Sequence, residues 1–328
     1  MALKVAIIGF GSVGKGVIKV LSERKDDTFR VVAITDSKGA VLDDKGLDLA
    51  DVLKRKKNGD LKRANMSSMG VIKEADYDIL VEVTPTDAKT GEPGLSYIRE
   101  ALKRGKHAVT SNKGPVALRY KELCELAKKN HVQFLFEATV GGAMPVFNLM
   151  RGPLAGNPIT SIEGIFNGTC NYILTRMASE GLPYDMVLSE AKELGIAEAD
   201  PTYDVEGIDT ALKLVILANS VFGMDVGLDD VDRVGISSVC LEALKLAGEA
   251  GMVIKLIGEV RPNGGEYVLR VSPRLVPKTH PLAVQGTLNA ALIQTKLAGE
   301  IFVIGKGAGS IETASAILSD MLYIASLQ

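Results

Sequence analysis

The chain has 328 residues, which predicts roughly two domains at about 150 residues each. Hydrophobic residues make up 46% and charged residues 24%, so disorder, collagen and coiled coil are excluded on composition. With 38 Lys and Arg against 40 Asp and Glu, no global basic field points to nucleic acid or an anionic membrane.

The one unusual count is 34 glycines, which without a repeat signals tight turns and close approaches of backbone to a ligand. Three cysteines, Cys124, Cys170 and Cys240, form no CxxC pair and no even framework, so each reads as a small buried hydrophobe in a reducing compartment. The N-terminal apolar run lacks a basic leader and a cleavage site, and no stretch approaches the roughly 20 apolar residues that cross a bilayer. A cytoplasmic protein without a membrane partner is expected.

In chain order, Lys4 to Ile8 reads as a strand and ends in Gly9-Phe10-Gly11-Ser12-Val13-Gly14. Val17, Ile18 and Leu21 then mark one face of a helix. Further strands are expected at Arg30 to Thr35, Ile79 to Val83, His107 to Thr110 and Val132 to Phe136. Helices are expected near Gly94 to Arg104 and Tyr120 to Lys129. Continuous apolar strands separated by helices imply βαβ units and a parallel sheet covered on both faces.

The GxGxxG run follows a strand and opens a helix, the context that gives this short motif its meaning. Gly9 permits the tight turn, Gly11 lets backbone approach a pyrophosphate, and Gly14 allows close packing of helix on strand. The amides from Ser12 and Val13 onward would face the phosphates at the helix N-terminus. Asp36, 22 residues after Gly14, ends the second strand, where an acid accepts hydrogen bonds from ribose hydroxyls and favours NAD. Lys38 and the run Arg55-Lys56-Lys57 could meet a 2′-phosphate or form a solvated face, so NAD and NADP both stay open. Lys113, in Thr110-Ser111-Asn112-Lys113-Gly114, follows a strand at the carboxyl-end crevice. It is either an anion-holding site residue or an exposed loop lysine.

From Glu137 the pattern changes. The turn Glu137 to Pro145, with Gly141 and Gly142, is either a hinge or a set of inward carbonyls that joins Glu137 around a hard cation. Ser161 to Phe166 reads as a strand and Asn171 to Ala178 as a helix, with turn and cap formers Asn167-Gly168-Thr169 between them. Cys170 lies there as a possible thiol nucleophile or a buried hydrophobe. The densest chemistry runs from Ala191 to Lys213, with Glu198, Asp200, Asp204, Glu206 and Asp209. Helix is expected again from about Val205, which places Asp209 and Lys213 one turn apart. Ala211 to Ala218 is apolar on every side except at Lys213, so this lysine is expected in a dry setting beside an acid, suited to moving a proton.

These motifs together resemble homoserine dehydrogenase over nearly the whole chain. The most specific part is Ala191-x3-Gly195-Ile196-Ala197 through Asp200-Pro201-x2-Asp204-Val205-x-Gly207-x-Asp209-x3-Lys213. The Thr-Ser-Asn-Lys segment, the Glu-Ala-Thr-Val-Gly-Gly loop, the Asn-Gly-Thr junction and the late Gly305-Lys306-Gly307-Ala308-Gly309 turn fit as well. The resemblance implies an α/β fold: a Rossmann-type dinucleotide-binding domain over 1–136, an α+β catalytic and dimerisation domain over 137–304, and a C-terminal helix over 305–328 returning to the nucleotide domain.

It also implies an oxidoreductase interconverting L-homoserine and L-aspartate 4-semialdehyde with NAD or NADP, in threonine and methionine biosynthesis. Lys213 would move the alcohol proton, and Lys113 would hold substrate and nicotinamide. Glu198, Asp204, Asp209 and Thr169 would bind or orient the amino acid. Thr84 and Gly307 would lie near the cofactor. Glu137 and the carbonyls of Val140, Gly142 and Met144 would form a monovalent cation site, with sodium as the expected ion. A homodimer is implied, and the chain's end at Gln328 leaves no room for a regulatory ACT or aspartate kinase domain. Two rivals stay open: a thiol-dependent semialdehyde dehydrogenase acting through Cys170, and a nucleotide-binding scaffold with a degenerate site.

Overall fold

The computed structural model describes residues 2–264 and 266–328; Met1, where the first expected domain begins, and Gly265 lie outside them. Two compact units form: residues 1–143 with 308–328, and residues 144–307.

The first unit carries β1 (Leu3–Ile8), α1 (Ser12–Ser22), β2 (Phe29–Asp36), β3 (Gly39–Leu42), α2 (Leu49–Asn58), α3 (Ser68–Glu74), β4 (Ile79–Glu82), α4 (Gly94–Lys103), β5 (His107–Thr110), α5 (Lys113–Lys129) and β6 (Phe134–Leu135). The sheet order is β3-β2-β1-β4-β5-β6. All pairings are parallel except β2 with β3, an antiparallel edge hairpin that the apolar pattern did not reveal. β4 is buried at all four positions and β1 at five of six, as expected of strands covered on both faces. Helix α5 starts at Lys113, seven residues before the expected start at Tyr120, because Asn112 caps it and a kink at Arg119 joins two helical segments.

The second unit holds α6 (Val146–Arg151), β7 (Ile159–Ile165), α7 (Gly168–Glu180), α8 (Tyr184–Glu193), α9 (Thr202–Val205), α10 (Ile208–Val221), β8 (Asp232–Arg233), α11 (Leu241–Glu249), β9 (Met252–Asn263), β10 (Glu266–Pro277), β11 (Leu288–Thr295) and β12 (Gly299–Lys306). Its sheet runs β12-β11-β7-β9-β10-β8, antiparallel except for the short β10–β8 pair. On α10 every residue from Asp209 to Asn219 is buried. A Cβ at Gly258 of β9 would lie 2.8 Å from Thr210 and 3.2 Å from Leu214, so α10 rests on the sheet at the distance only a glycine allows.

The chain then returns to the first unit through α12 (Ser310–Ala325). Ala314, Ile317, Met321 and Ile324 join β1 and α1 in one apolar cluster. A Cβ at Gly16 would fall 2.3 Å from the Ser310 carbonyl, so α1 and α12 touch through backbone. The units divide after Ala143, seven residues beyond the expected boundary at 136. The Glu137 amide donates to the Asp320 carboxylate of α12 at 2.8 Å, which ties the turn to the first unit. Gly305 and Gly307 stay with the second unit, where Gly305 pairs with Asn289 across β11 and β12.

Lys255 of β9 is a buried ammonium with no carboxylate partner among the described residues. It donates to Asn171 Oδ1 at 2.7 Å and Thr175 Oγ1 at 3.1 Å, and burial pulls its pKa from 10.5 down to about 8. The unfolded chain keeps this proton to higher pH than the folded one, so the stability cost is fully present below about pH 8 and fades as pH rises towards 10.5. Lys255→Met should flatten that rise in urea midpoints between pH 8 and 10.5; an unchanged slope would remove Lys255 as its source.

Candidate active site

The nucleotide end of the first unit is built by glycine geometry. Gly9 has φ 114° and would place a Cβ 2.6 Å from the Val83 carbonyl. A Cβ at Gly14 would stand 2.1 Å from the Gly9 carbonyl, whereas one at Gly11 would meet nothing within 4 Å. The loop is therefore closed towards the sheet and open at Gly11. Gly11 caps α1 without a side chain, so the first-turn amides at Ser12, Val13 and Gly14 face outward at the positive end of the helix dipole. This cradle fits a dinucleotide pyrophosphate.

Asp36 ends β2 as expected, but its carboxylate is already engaged. Arg63 donates Nε and Nη2 to it at 3.0 and 2.8 Å, and Lys56 donates at 2.5 Å. Burial raises this carboxyl, yet the two cations outweigh it and hold the pKa at about 2. Lys56 also lies 4.8 Å from the centre of the Phe10 ring in the glycine loop. Arg63 escaped the sequence reading because it lies outside the basic run. Within that run, Arg55 pairs with Asp51 instead.

Thr84 and Lys113 stand at the carboxyl ends of the central strands. Glu82, the buried last residue of β4, accepts the Thr84 amide at 2.8 Å, the Thr84 hydroxyl, and the Thr110 hydroxyl at 2.8 Å. Burial raises the Glu82 carboxyl against these donors. Asn112 reaches the Thr84 hydroxyl at 3.4 Å and accepts the Gly114 amide at 3.2 Å, which sets the first turn of α5 where half-buried Lys113 sits. Glu82 was also missed, since an acid within an apolar strand shows no spacing signature.

In the second unit two of the expected acids, Asp204 and Asp209, converge with Lys213. Lys213 Nζ donates to Asp209 Oδ2 at 2.6 Å and to the Phe166 carbonyl at 2.5 Å. Asn167 caps α7 and its amide bridges two carboxylates, Asp204 at 2.7 Å and Asp209 at 3.0 Å. Burial, then the neighbouring Asp209 charge, raises the Asp204 carboxyl. Thr169 donates its hydroxyl to the Ile196 carbonyl at 3.1 Å, drawing the signature segment to the start of α7. Glu198 is exposed on that segment, outside the network. Gly307 packs against the Asn289 carboxamide. The helix begins at Gly168 rather than Asn171 because Asn167 Oδ1 accepts the Cys170 amide at 2.9 Å.

Cys170 is fully buried and its Sγ donates to the Asp204 carbonyl at 3.1 Å. Burial, then the charges of Asp204 and Asp209, pushes its pKa well up, the reverse of an activated thiol. Cys170→Ala should keep turnover within a few-fold in an NAD(P)H absorbance assay; abolished turnover with an intact fold would return the thiol route.

Glu137 is buried at the head of a turn whose Gly141 and Gly142 have φ 86° and 59°. Val140 and Gly142 are buried in the same turn of the first unit, and Met144 opens the second.

Known proteins match the chain over nearly its whole length. Residues 9–137 match the family described as "Homoserine dehydrogenase, NAD binding domain", and residues 145–322 that described as "Homoserine dehydrogenase". The homoserine dehydrogenase of Methanocaldococcus jannaschii is 54% identical, with 98% of each chain covered. The NAD(+)-dependent homoserine dehydrogenase of Pseudomonas canavaninivorans is 40% identical, covering 98% of this chain and 96% of that one. A hyperthermophilic archaeal homoserine dehydrogenase solved with NADPH is 32% identical and superposes with a TM-score of 0.86, covering 100% of this chain and 98% of that one. A dinucleotide cradle, a buried acid–lysine pair and similarity across both units lead to one conclusion: the chain belongs to the homoserine dehydrogenase family.

Proposed function

We propose that this NAD(P)-dependent homoserine dehydrogenase interconverts L-homoserine and L-aspartate 4-semialdehyde with Lys213 as the proton donor and acceptor. The observation that carries this assignment is the buried Lys213 ammonium, held by Asp209 and the Phe166 carbonyl. An ammonium has three N–H donors, so two contacts leave one for the substrate oxygen. The amides after Gly11 would hold the pyrophosphate of NAD(P), which when bound would supply or accept the hydride. During reduction Lys213 gives a proton to the developing alkoxide, and during oxidation its neutral amine takes the hydroxyl proton. Asp209 stabilises the ammonium and orients it. Asp204, Thr169 and the exposed Glu198 are assigned to the amino-acid part of the substrate, and Thr84 and Lys113 to the nicotinamide side. Gly307 is assigned to the cofactor approach.

Glu137 and the Val140, Gly142 and Met144 carbonyls are assigned to a sodium ion, supported by the buried carboxylate and the glycine-directed turn of hard oxygen donors. A homodimer is supported by the apolar residues Leu275 and Val234, 61% and 50% exposed on the second unit. A cytoplasmic role in threonine and methionine biosynthesis completes the reading. No helix among the described residues is long and apolar enough to cross a membrane.

Lys213→Ala should lower kcat by about 10²–10⁴-fold, the usual worth of a positioned acid–base group, while NAD(P)H still binds. Near-normal turnover would defeat the assignment.

For the cofactor, Arg63 and Lys56 are assigned to the 2′-phosphate of NADP when it displaces them from Asp36, and Asp36 to the ribose hydroxyls of NAD. Replacing both cations with alanine should weaken NADPH binding by about tenfold or more, the scale of lost charge-assisted contacts, and NADH binding far less. Equal losses for both cofactors would overturn this division.

A further inference from the structure

Asn289, the second residue of β11, pairs with Gly305 of β12, and Gly307 packs against its side chain. It is fully buried, and neither its Oδ1 nor its Nδ2 meets a hydrogen-bond partner among the described residues. Strand pairing fixes where the side chain points. Ala291 lies opposite Gly164, and Gly164 opposite Gly258, so the three form one row across the sheet. The Gly258 position faces Thr210 and Leu214, which makes this the face covered by α10. Asn289 precedes Ala291 by two residues and projects from the same face. Ala290 pairs with Ile165, which puts Asn289 across from Phe166, whose carbonyl receives the Lys213 ammonium. The carboxamide thus stands one strand away from the proton-transferring group.

Among the described residues this amide gains no hydrogen bond in return for its burial. A buried donor and acceptor that lack partners each cost free energy, and an apolar side chain of similar size would avoid that cost. The neighbouring strand also makes room for it. A Cβ on Gly307 would fall 2.0 Å from Nδ2 and 2.1 Å from Cγ of Asn289, so this conformation requires a residue without a side chain at 307. Orphaned polar atoms at the end of a catalytic sheet call for a ligand group with both an acceptor and a donor.

We propose that Asn289 binds the α-amino-acid end of the substrate, Nδ2 donating to the carboxylate and Oδ1 accepting from the ammonium. The inference rests on the assignment of Lys213 as the proton-transfer group. An α-amino acid carries both functions on one carbon, and the Asp204–Asn167–Asp209 network at this end of the same unit complements its ammonium. The carboxamide of the nicotinamide also pairs a donor with an acceptor, and the test separates the two.

Asn289→Leu and Asn289→Asp are compared with the parent enzyme in thermal unfolding, NAD(P)H binding by fluorescence, and turnover of homoserine and 4-hydroxybutanoate, which lacks the amino group. The expected result for Asn289→Leu is an unchanged or higher Tm, unchanged NAD(P)H binding, and a homoserine KM raised about tenfold or more. Its preference for homoserine over 4-hydroxybutanoate should shrink. Asn289→Asp, which loses the donor and adds a charge beside the substrate carboxylate, should raise KM further. Weakened NAD(P)H binding with an unchanged homoserine KM would overturn the inference in favour of the nicotinamide. So would a lowered Tm with wild-type KM and preference, which marks a packing residue. Near-normal turnover by Lys213→Ala defeats the proton-transfer reading whatever the Asn289 variants do, whereas an inactive Lys213→Ala with unaltered Asn289 variants defeats this inference alone.

Discussion

The central constraint in the catalytic unit is the burial of a charge. Lys213 sits in a helix whose residues from Asp209 to Asn219 are all withdrawn from solvent, and an ammonium there is tolerated only with partners at hydrogen-bond distance. Asp209 supplies the counter-charge one turn earlier, and the Phe166 carbonyl supplies a second acceptor from the end of β7. These contacts tie the position of α10 to that of the sheet. Asn167 extends the arrangement by donating to Asp209 and Asp204 while capping α7, so one residue joins a helix start to both acids. Removing one partner from a buried pair of this kind typically costs about 3–5 kcal/mol, which explains why the site is also a structural joint.

The nucleotide unit follows a different logic, set by backbone clearance. At Gly9 and Gly14 the free space for a side chain is nil, and at Gly11 it is open. The same three residues that let α1 approach the sheet leave its N-terminal amides uncovered for an anion. Asp36, at the end of β2, is paired with Arg63 and Lys56, so this corner of the unit carries both signs of charge. An acid alone would discriminate strongly against a 2′-phosphate; an acid shared by two cations does so less.

Much of this was legible from residue order. The GxGxxG run after an apolar strand, Asp36 at the end of the next strand, and Asp209 one helical turn before Lys213 are local patterns, and local patterns survive in a one-dimensional string. The acid–lysine pair was readable because the surrounding apolar run made its burial predictable. Glu82, Arg63 and the bridging role of Asn167 were not readable. Each engages side chains 27 to 42 positions away in sequence, and no spacing rule links such partners. The late start expected for α5 and the missed β3 hairpin have the same origin, since a capping side chain and an edge pairing outweighed weak local preference.

The amino-acid string alone therefore specified the chemistry available: a phosphate-binding turn, an acid-rich segment and a lysine set among apolar residues. Folding decided which of these groups carry charge in a dry setting and which are spent on one another. Asp36 is occupied by cations, Cys170 is turned inward to a carbonyl, and Glu198 is left in solvent, and none of these three outcomes shows in residue order. The reason is that hydrogen bonding and desolvation depend on three-dimensional distance and burial, which strand register and helix packing set across tens of residues, beyond the reach of any local motif.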